Sequence, residues 1–144
     1  MPDDAATIRA ALTRMNEAEN AAQRLGLDAM IAIFDDILSE DWEGTTNDGP
    51  VHGRVEERES ERAMFSAFPD YQRRFNTIIV EPPFAAFHWT FAGTHTDDFP
   101  GFPASGNRVE VSGISIVEFA GGRMRRSTLA CDFTSFFAQM AKRG

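Results

Sequence analysis

The stretch R-V-E-V-S-G-I-S-I-V-E-F, residues 108–119, alternates apolar and polar residues, a pattern typical of a β-strand with one buried face. Val109 and Val111 are apolar at odd positions, but beyond Gly113 the isoleucines stand at even positions, 114 and 116. A period of two changes phase only at a bulge or bend, or where a strand becomes buried on both faces, and a glycine within a strand often marks a bulge. The stretch therefore predicts a strongly curved sheet.

Outward from this strand, the chain divides into a helical part and a part made of strands. After Pro69 the apolar period is two, and further strands are predicted over 71–80, 85–93 and 124–133. Before Pro69 the period is about 3.6, and helices are predicted over 5–25, after Asp28 and over 54–68, with a last helix over 134–142. This order predicts an α+β fold in which a curved antiparallel sheet wraps around N-terminal helices. Such a sheet leaves space for an internal pocket.

Length, composition and charge limit the kinds of protein that this chain can be. A length of 144 residues predicts a single domain, 1–144, and 42% hydrophobic residues with 13 Phe predict a large apolar core. The formal charge of −8 argues against nucleic acid as a partner. Cys131 is the one cysteine, the N-terminus is acidic, and no apolar run is long enough to span a membrane. We expect a cytoplasmic protein that binds neither nucleic acid nor membrane.

The sequence contains no motif for a nucleophile or a cofactor. It has no G-x-S-x-G, no P-loop and no G-x-G-x-x-G. His95, Asp97 and Asp98 lie close together, but His52 and His88 have no histidine at the spacing of a metal site. We therefore expect no metal and no cofactor. We interpret His52, in the turn-rich segment 43–53, as a turn residue and His95 as structural.

Asp132 is the most informative carboxylate, because it interrupts an apolar strand just before the last helix. An ionised carboxylate in such a place is costly unless it is paired or functional. Alternation places Asp132 on the same face as the small residues Thr128 and Ala130, which leaves room for a ligand, and points Cys131 the other way, into the core. Two interpretations stay open: Asp132 is an acid/base group in a pocket, or it caps the last helix.

His88 lies on a strand with one face more apolar than the other. Phe87, Trp89 and Phe91 share one face, and His88, Thr90 and Ala92 share the opposite one. If His88 faces the pocket, its imidazole could donate to a substrate oxygen or share a proton with a carboxylate. If it faces solvent, it is an ordinary surface residue.

Four segments in a fixed order resemble a known family. They are G-P-V-H-G-R (49–54), F-S-A-F-P-D (65–70), W-T-F-A-G-T-H-T (89–96) and V-E-V-S-G-I-S-I (109–116). Together they resemble the SnoaL-like polyketide cyclases, and the resemblance extends from about residue 27 to 140. It implies the nuclear transport factor 2-like (cystatin-like) α+β cone, with a deep apolar pocket and a homodimer formed through the sheet.

The resemblance also implies a chemistry. Characterised cyclases of this family close a ring by intramolecular aldol condensation, without metal or cofactor, with an aspartate near the end of the last strand as acid/base. Asp132 stands at the matching position. Two positions differ from the family, since Thr128 replaces a frequent aromatic residue and His88 replaces a frequent arginine.

We therefore predict a cofactor-free acid/base enzyme for a hydrophobic carbonyl substrate. The predicted catalytic residues are Asp132 and His88, and the predicted lining of the substrate pocket is Trp42, Phe65, Trp89 and Ser115. One alternative keeps the pocket but changes the reaction to isomerisation, dehydration or epoxide hydrolysis, the last needing a second carboxylate and an arginine around one water. The other alternative is a ligand-binding or dimerisation module without turnover.

Overall fold

The computed structural model describes residues 3–142, which form four helices and one six-stranded sheet. The elements are α1 (Ala5–Leu25), α2 (Leu27–Ile37), β1 (Leu38–Thr46), β2 (His52–Gly53), α3 (Arg54–Ala67), β3 (Gln72–Glu81), β4 (Phe84–Thr94), β5 (Arg108–Ala120), β6 (Arg123–Cys131) and α4 (Phe133–Ala141). The predicted α+β class, with helices against a curved sheet, is confirmed. The ends of the predicted domain, 1–2 and 143–144, lie outside the described residues.

The helices begin and end at the expected signals. The Asp4 carboxylate accepts a hydrogen bond from the Thr7 backbone N–H at 2.8 Å and so caps α1. Gly26 ends that helix with a φ of +92°, which only glycine adopts readily. The apolar face of α1 buries Ile8 and Leu12 completely. Within residues 3–142, no helix is long and apolar enough to cross a membrane.

The strand order is β2-β1-β6-β5-β4-β3, and strands β3 to β6 pair antiparallel, as predicted. The first long strand differs from the prediction, because β1 pairs parallel with β6. The sequence analysis placed residues from 43 onward in a loop and so missed most of β1. Its apolar alternation is interrupted, and its register with β6 shifts between Leu38 and Glu43.

The predicted change of phase at Gly113 is wrong. The pairing of β5 with β4 runs without interruption through Gly113, and the irregularity in β5 lies between Glu118 and Phe119. Odd positions face inward along β5, so Ile114 and Ile116 lie on the outer face of the sheet, 54% and 52% exposed. Gly113 serves a different purpose, because a Cβ there would lie 2.3 Å from Cζ2 of Trp89. The glycine makes room for this indole ring.

Candidate functional site

A cavity of about 440 Å³ lies between the concave side of the sheet and helices α1 and α3. Most of its lining is apolar, with side chains from the sheet and the helices. Among them are Leu38, Trp42, Phe87, Trp89, Phe91 and Val117. Its volume lies within the range typical of small-molecule sites.

One wall of this cavity carries a buried cluster of four polar side chains from three parts of the chain. Glu19 belongs to α1, Glu61 to α3, Tyr71 precedes β3, and Arg73 lies on β3. The Tyr71 hydroxyl donates to Glu19 Oε2 at 2.9 Å, and Arg73 Nη1 lies 3.0 Å from the same oxygen. The Arg73 guanidinium carbon also lies 4.5 Å from the ring centroid of Trp89, within cation–π distance. Glu19 is therefore held by a cation and a hydroxyl.

Glu61 has a different environment. It is 7% exposed, and its Oε2 has no hydrogen-bond partner among the described residues. Burial raises the pKa of Glu61 well above its ordinary value, and the negative charges of Glu19 and Glu57 raise it further, with Arg73 opposing them. This environment therefore favours the protonated carboxylic acid over the carboxylate.

Unpartnered polar atoms concentrate at this cluster. Within residues 3–142, the buried side-chain atoms without a hydrogen-bond partner are Glu19 Oε1, Glu61 Oε2, Arg73 Nε and His95 Nε2. Three of these four belong to residues that line the cavity. Because a buried polar group is costly when it has no partner, these three atoms indicate where a ligand or water completes the site.

The two carboxyl groups suit opposite roles in proton transfer. Burial also raises the pKa of Glu19, but Arg73 and Tyr71 oppose that shift by favouring the ionised form. For Glu61, by contrast, Arg73 opposes the shift only through its charge, and Oε2 has no hydrogen-bond partner among the described residues. Neighbouring carboxyls whose environments differ in this way can act as a base and an acid at one pH.

His52 contributes to the cavity as well, and its interpretation as a turn residue was incomplete. It lies on β2, its Nε2 lies 2.8 Å from Glu57 Oε2, and both side chains line the cavity. Its ring makes an edge contact with Trp42, with centroids 5.3 Å apart. The Trp42 ring in turn needs Gly44, where a Cβ would lie 2.4 Å from Trp42 Cη2.

Three of the four predicted lining residues, Trp42, Trp89 and Ser115, line the cavity. The Trp89 indole N–H donates to Ser115 Oγ at 3.1 Å, and that of Trp42 donates to Ser127 Oγ at 3.1 Å. Both indoles therefore contribute apolar surface rather than free donors. Phe65 does not belong to the described lining and instead stacks on Tyr71, with centroids 4.2 Å apart.

The two predicted catalytic residues lie elsewhere. Asp132 is exposed at the N-terminus of α4, where its Oδ1 accepts from the Ser135 backbone N–H at 2.9 Å. His88 is exposed on the outer face of the sheet, with Nδ1 3.3 Å from Asn76 Nδ2. The predicted pocket positions of both are therefore corrected.

Cys131, which was predicted to point away from the pocket, lines the cavity together with Leu129 and Phe133. Alternation correctly identified the residues that share a face, but a period of two does not say which face is inward. On both β4 and β6, the face with the larger apolar side chains is the one that faces the cavity. In the part of the chain that the structure describes, no group of three or more His, Cys, Asp or Glu residues could hold a metal ion.

The sequence analysis missed Glu19 and Glu61, although a signal for both was present. Glu19 follows Leu12 by seven residues and Met15 by four, which places it on the apolar face of α1. Glu61 precedes Met64 by three residues and Phe65 by four, so it shares their face of α3. A carboxylate within an apolar stripe is the pattern that predicts a buried acid.

Comparison with protein-family models gives a match to the SnoaL-like polyketide cyclase model over residues 15–140. None of the curated protein sequences compared with the chain matches it significantly.

Solved structures share the fold. A candidate SnoaL-like polyketide cyclase from Jannaschia sp. CCS1 superimposes with a TM-score of 0.84 at 15% identity, covering 100% of this chain and 97% of its own. The candidate hydroxylase AclR from Streptomyces galilaeus has a TM-score of 0.80 at 20% identity, and the match covers 96% of this chain and 83% of AclR. The candidate polyketide cyclase IdmH from Streptomyces antibioticus has a TM-score of 0.75 at 17% identity, and the match covers 93% of this chain and 98% of IdmH. At these identities the likeness shows the fold alone.

Proposed function

The chain belongs to the SnoaL-like polyketide cyclase family, and we propose that it is a cofactor-independent acid/base catalyst for a hydrophobic carbonyl compound bound in the central cavity. The observation that carries the proposal is the buried Glu61, whose Oε2 has no hydrogen-bond partner among the described residues and whose pKa is raised by burial, beside the ion-paired Glu19 in a largely apolar cavity. An apolar lining suits a hydrophobic substrate, and two carboxyls of different basicity suit proton transfer. This assignment replaces Asp132 and His88 as the acid/base groups.

The aldol reaction assigns a role to each member of the cluster. Glu19 Oε1, which has no hydrogen-bond partner among the described residues, accepts the proton from the carbon α to a carbonyl. The electron pair moves onto that carbonyl oxygen, where the positive charge of Arg73 stabilises it and Glu61 donates its proton, so that an enol forms. The carbon then attacks a second carbonyl carbon of the same molecule, a C–C bond forms, and the enol oxygen returns its proton to Glu61 as the first carbonyl re-forms. Glu61 donates its proton to the new alkoxide oxygen.

A second reaction, epoxide hydrolysis, is favoured by the same observation. That reaction needs two carboxyl groups and an arginine around one water, and Glu19, Glu61 and Arg73 meet at one wall of the cavity. Glu19 would take a proton from the water while the oxygen of that water attacks an epoxide carbon. The C–O bond breaks, and Glu61 protonates the leaving oxygen. Hydrolysis of styrene oxide by wild type but not by Glu61→Gln would favour this reaction over the aldol.

Exchange of the α-protons of β-tetralone in deuterated water, followed by proton NMR, tests the proposed function. This ketone is hydrophobic, and its exchange proceeds by enolisation, in which Glu19 removes an α-proton while Glu61 donates a proton to the carbonyl oxygen, followed by the reverse reaction with deuterium. We expect wild type to accelerate exchange over buffer and Glu61→Gln to lose about 100-fold or more of that acceleration. Glu59→Gln is the matched control, because Glu59 is an exposed glutamate on the same helix.

Two results would contradict this function: exchange by wild type no faster than in buffer, or a Glu61→Gln variant as fast as Glu59→Gln. A circular dichroism spectrum and a thermal melt of each variant establish that it is folded.

A further inference from the structure

His52 and Glu57 form a hydrogen-bonded pair between the cavity and solvent. Their nearest side-chain atoms, Nε2 and Oε2, are 2.8 Å apart, and the two side chains are 26% and 27% exposed. Both residues also line the cavity. The pair therefore contacts bulk water and the cavity interior at once.

The same pair adjoins the buried acid. Glu57 and Glu61 are four residues apart on α3, which places their side chains on one helix face with Cβ atoms about 6 Å apart. Glu61 is 7% exposed, and its Oε2 has no hydrogen-bond partner among the described residues. A buried acid that gives up its proton in each cycle needs a path by which the proton is replaced.

We propose that His52 and Glu57 form a proton-exchange route that connects Glu61 with solvent. This inference rests on the proposed function of Glu61 as the proton donor. His52 acts through Glu61 rather than on the substrate, so it is a positioning residue.

Each step of the route moves one proton. After Glu61 has protonated the substrate oxygen, the imidazolium of His52 passes a proton to Glu57, and Glu57 passes one to Glu61. His52 then takes a proton from water or buffer. Glu61 then passes its own proton outward through Glu57 and His52 to solvent and takes the proton that Glu19 removed from the substrate, which returns Glu19 to its ionised form. Protons therefore enter and leave in equal number.

The charges around the route suit a proton donor. On α3, Glu56 and Glu57 face His52, and β1 contributes the Trp42 ring. The Glu57 hydrogen bond raises the pKa of His52, with burial opposing it and the charges of Glu57 and Glu56 adding to it. Around Glu61, the charges are those of Glu19, Glu57 and Arg73. These neighbours favour the protonated imidazolium of His52, which can pass its proton on to Glu57.

The experiment measures the exchange of β-tetralone α-protons in deuterated water against the concentration of added imidazole. In wild type we expect a rate that does not depend on imidazole. In His52→Gln and Glu57→Gln we expect a rate about tenfold lower at low buffer concentration, restored as imidazole is added. Glu61→Gln should stay slow at every imidazole concentration, because it lacks the acid itself. Glu59→Gln should behave as wild type.

Either of two results would overturn the route: a His52→Gln rate equal to that of wild type at low buffer concentration, or a reduced rate that imidazole does not restore. The second result would indicate that His52 only maintains the structure of the cavity.

A measurement without substrate separates this inference from the proposed function. With glutamate labelled by ¹³C at the carboxyl group, the Glu61 signal is the one that disappears in Glu61→Gln. We expect its protonated and ionised forms to exchange quickly in wild type and slowly in His52→Gln, with imidazole restoring fast exchange. Unchanged exchange in His52→Gln would overturn the route. If wild type shows fast exchange on Glu61 but no activity on the ketone, only the proposed function fails.

Discussion

The Glu61 carboxyl shows how one residue can be unfavourable for the fold and useful for a site. An uncharged side chain of similar size would avoid both its desolvation and its repulsion from Glu19 and Glu57. The raised pKa of Glu61 favours its neutral form, and a neutral carboxylic acid in an apolar cavity is a proton donor. The free energy of unfolding should therefore depend on pH through the ionisation of Glu61.

We expect Glu61→Gln to change how stability depends on pH. The folded-state pKa of Glu61 is raised above the value of 4.5 for a free side chain. At a pH below 4.5 the carboxyl is protonated in both the folded and the unfolded state, so its ionisation does not change the free energy of unfolding there. As the pH rises towards the folded-state pKa, only the unfolded state ionises, and the free energy of unfolding falls by up to about 1.4 kcal/mol per pH unit. Glutamine does not titrate, so the variant should lack this loss.

Urea denaturation of wild type, Glu61→Gln and Glu59→Gln at a series of pH values measures this difference. Glu61→Gln should gain stability relative to the other two as the pH rises from acid to neutral. Parallel curves for all three proteins would show that folding does not shift the pKa of Glu61.

At the scale of elements, the faces of the strands and the start of α4 explain why Asp132, a predicted catalytic residue, lies outside the cavity. On β4 and β6 the larger apolar side chains, such as Phe87 and Leu129, face the cavity, because that burial removes the most apolar surface from water. Asp132 follows β6 on the opposite side and satisfies a backbone N–H at the start of α4. Its contribution is therefore to helix stability.

We expect Asp132→Ala to destabilise the fold by about 1 kcal/mol, the usual cost of losing a cap. Asp132→Asn should lose much less, since an amide oxygen also accepts from the Ser135 N–H. Chemical denaturation measures both changes, and α-proton exchange by Asp132→Asn should match wild type. A folded Asp132→Asn variant without exchange activity would restore Asp132 as the catalytic acid/base.

The whole molecule presents an uncharged band on the outer face of its sheet. Ile79, Ala86, Ile116 and Thr128 lie side by side across four strands, and the two isoleucines are 65% and 52% exposed. Apolar surface of this kind is typical of a protein interface. The homodimer through the sheet stays a prediction, and a second copy of the chain seated on this face would cover the band.

We expect Ile116→Glu to convert a dimer into a monomer, because a two-fold interface would bring two added charges into apolar surroundings. Light scattering coupled to size-exclusion chromatography measures the mass. Val55→Glu is the control, since Val55 is 64% exposed on α3, away from the sheet. A monomeric wild type, or a dimeric Ile116→Glu, would contradict this interface.

By itself, the amino-acid sequence determined the elements and the family. Apolar spacing located α1, α3 and strands β3 to β6, because helices and strands repeat at different periods along the chain. It also identified which residues of β4 and β6 share a face. A strand with interrupted alternation, β1, was not recognised as such, and neither was its parallel pairing with β6.

Only the tertiary structure decided which faces point inward and which polar residues meet. A period of two has no inward direction until a second layer packs against the sheet, so Asp132 and His88 were placed on the wrong side. The acid/base cluster joins Glu19, Glu61, Tyr71 and Arg73, and the pairs that link it span more than 50 residues of sequence. No local spacing encodes such a meeting. Packing of α1 against β3, and of α3 against β1 and β2, creates it, and the resulting burial raises the pKa of Glu61.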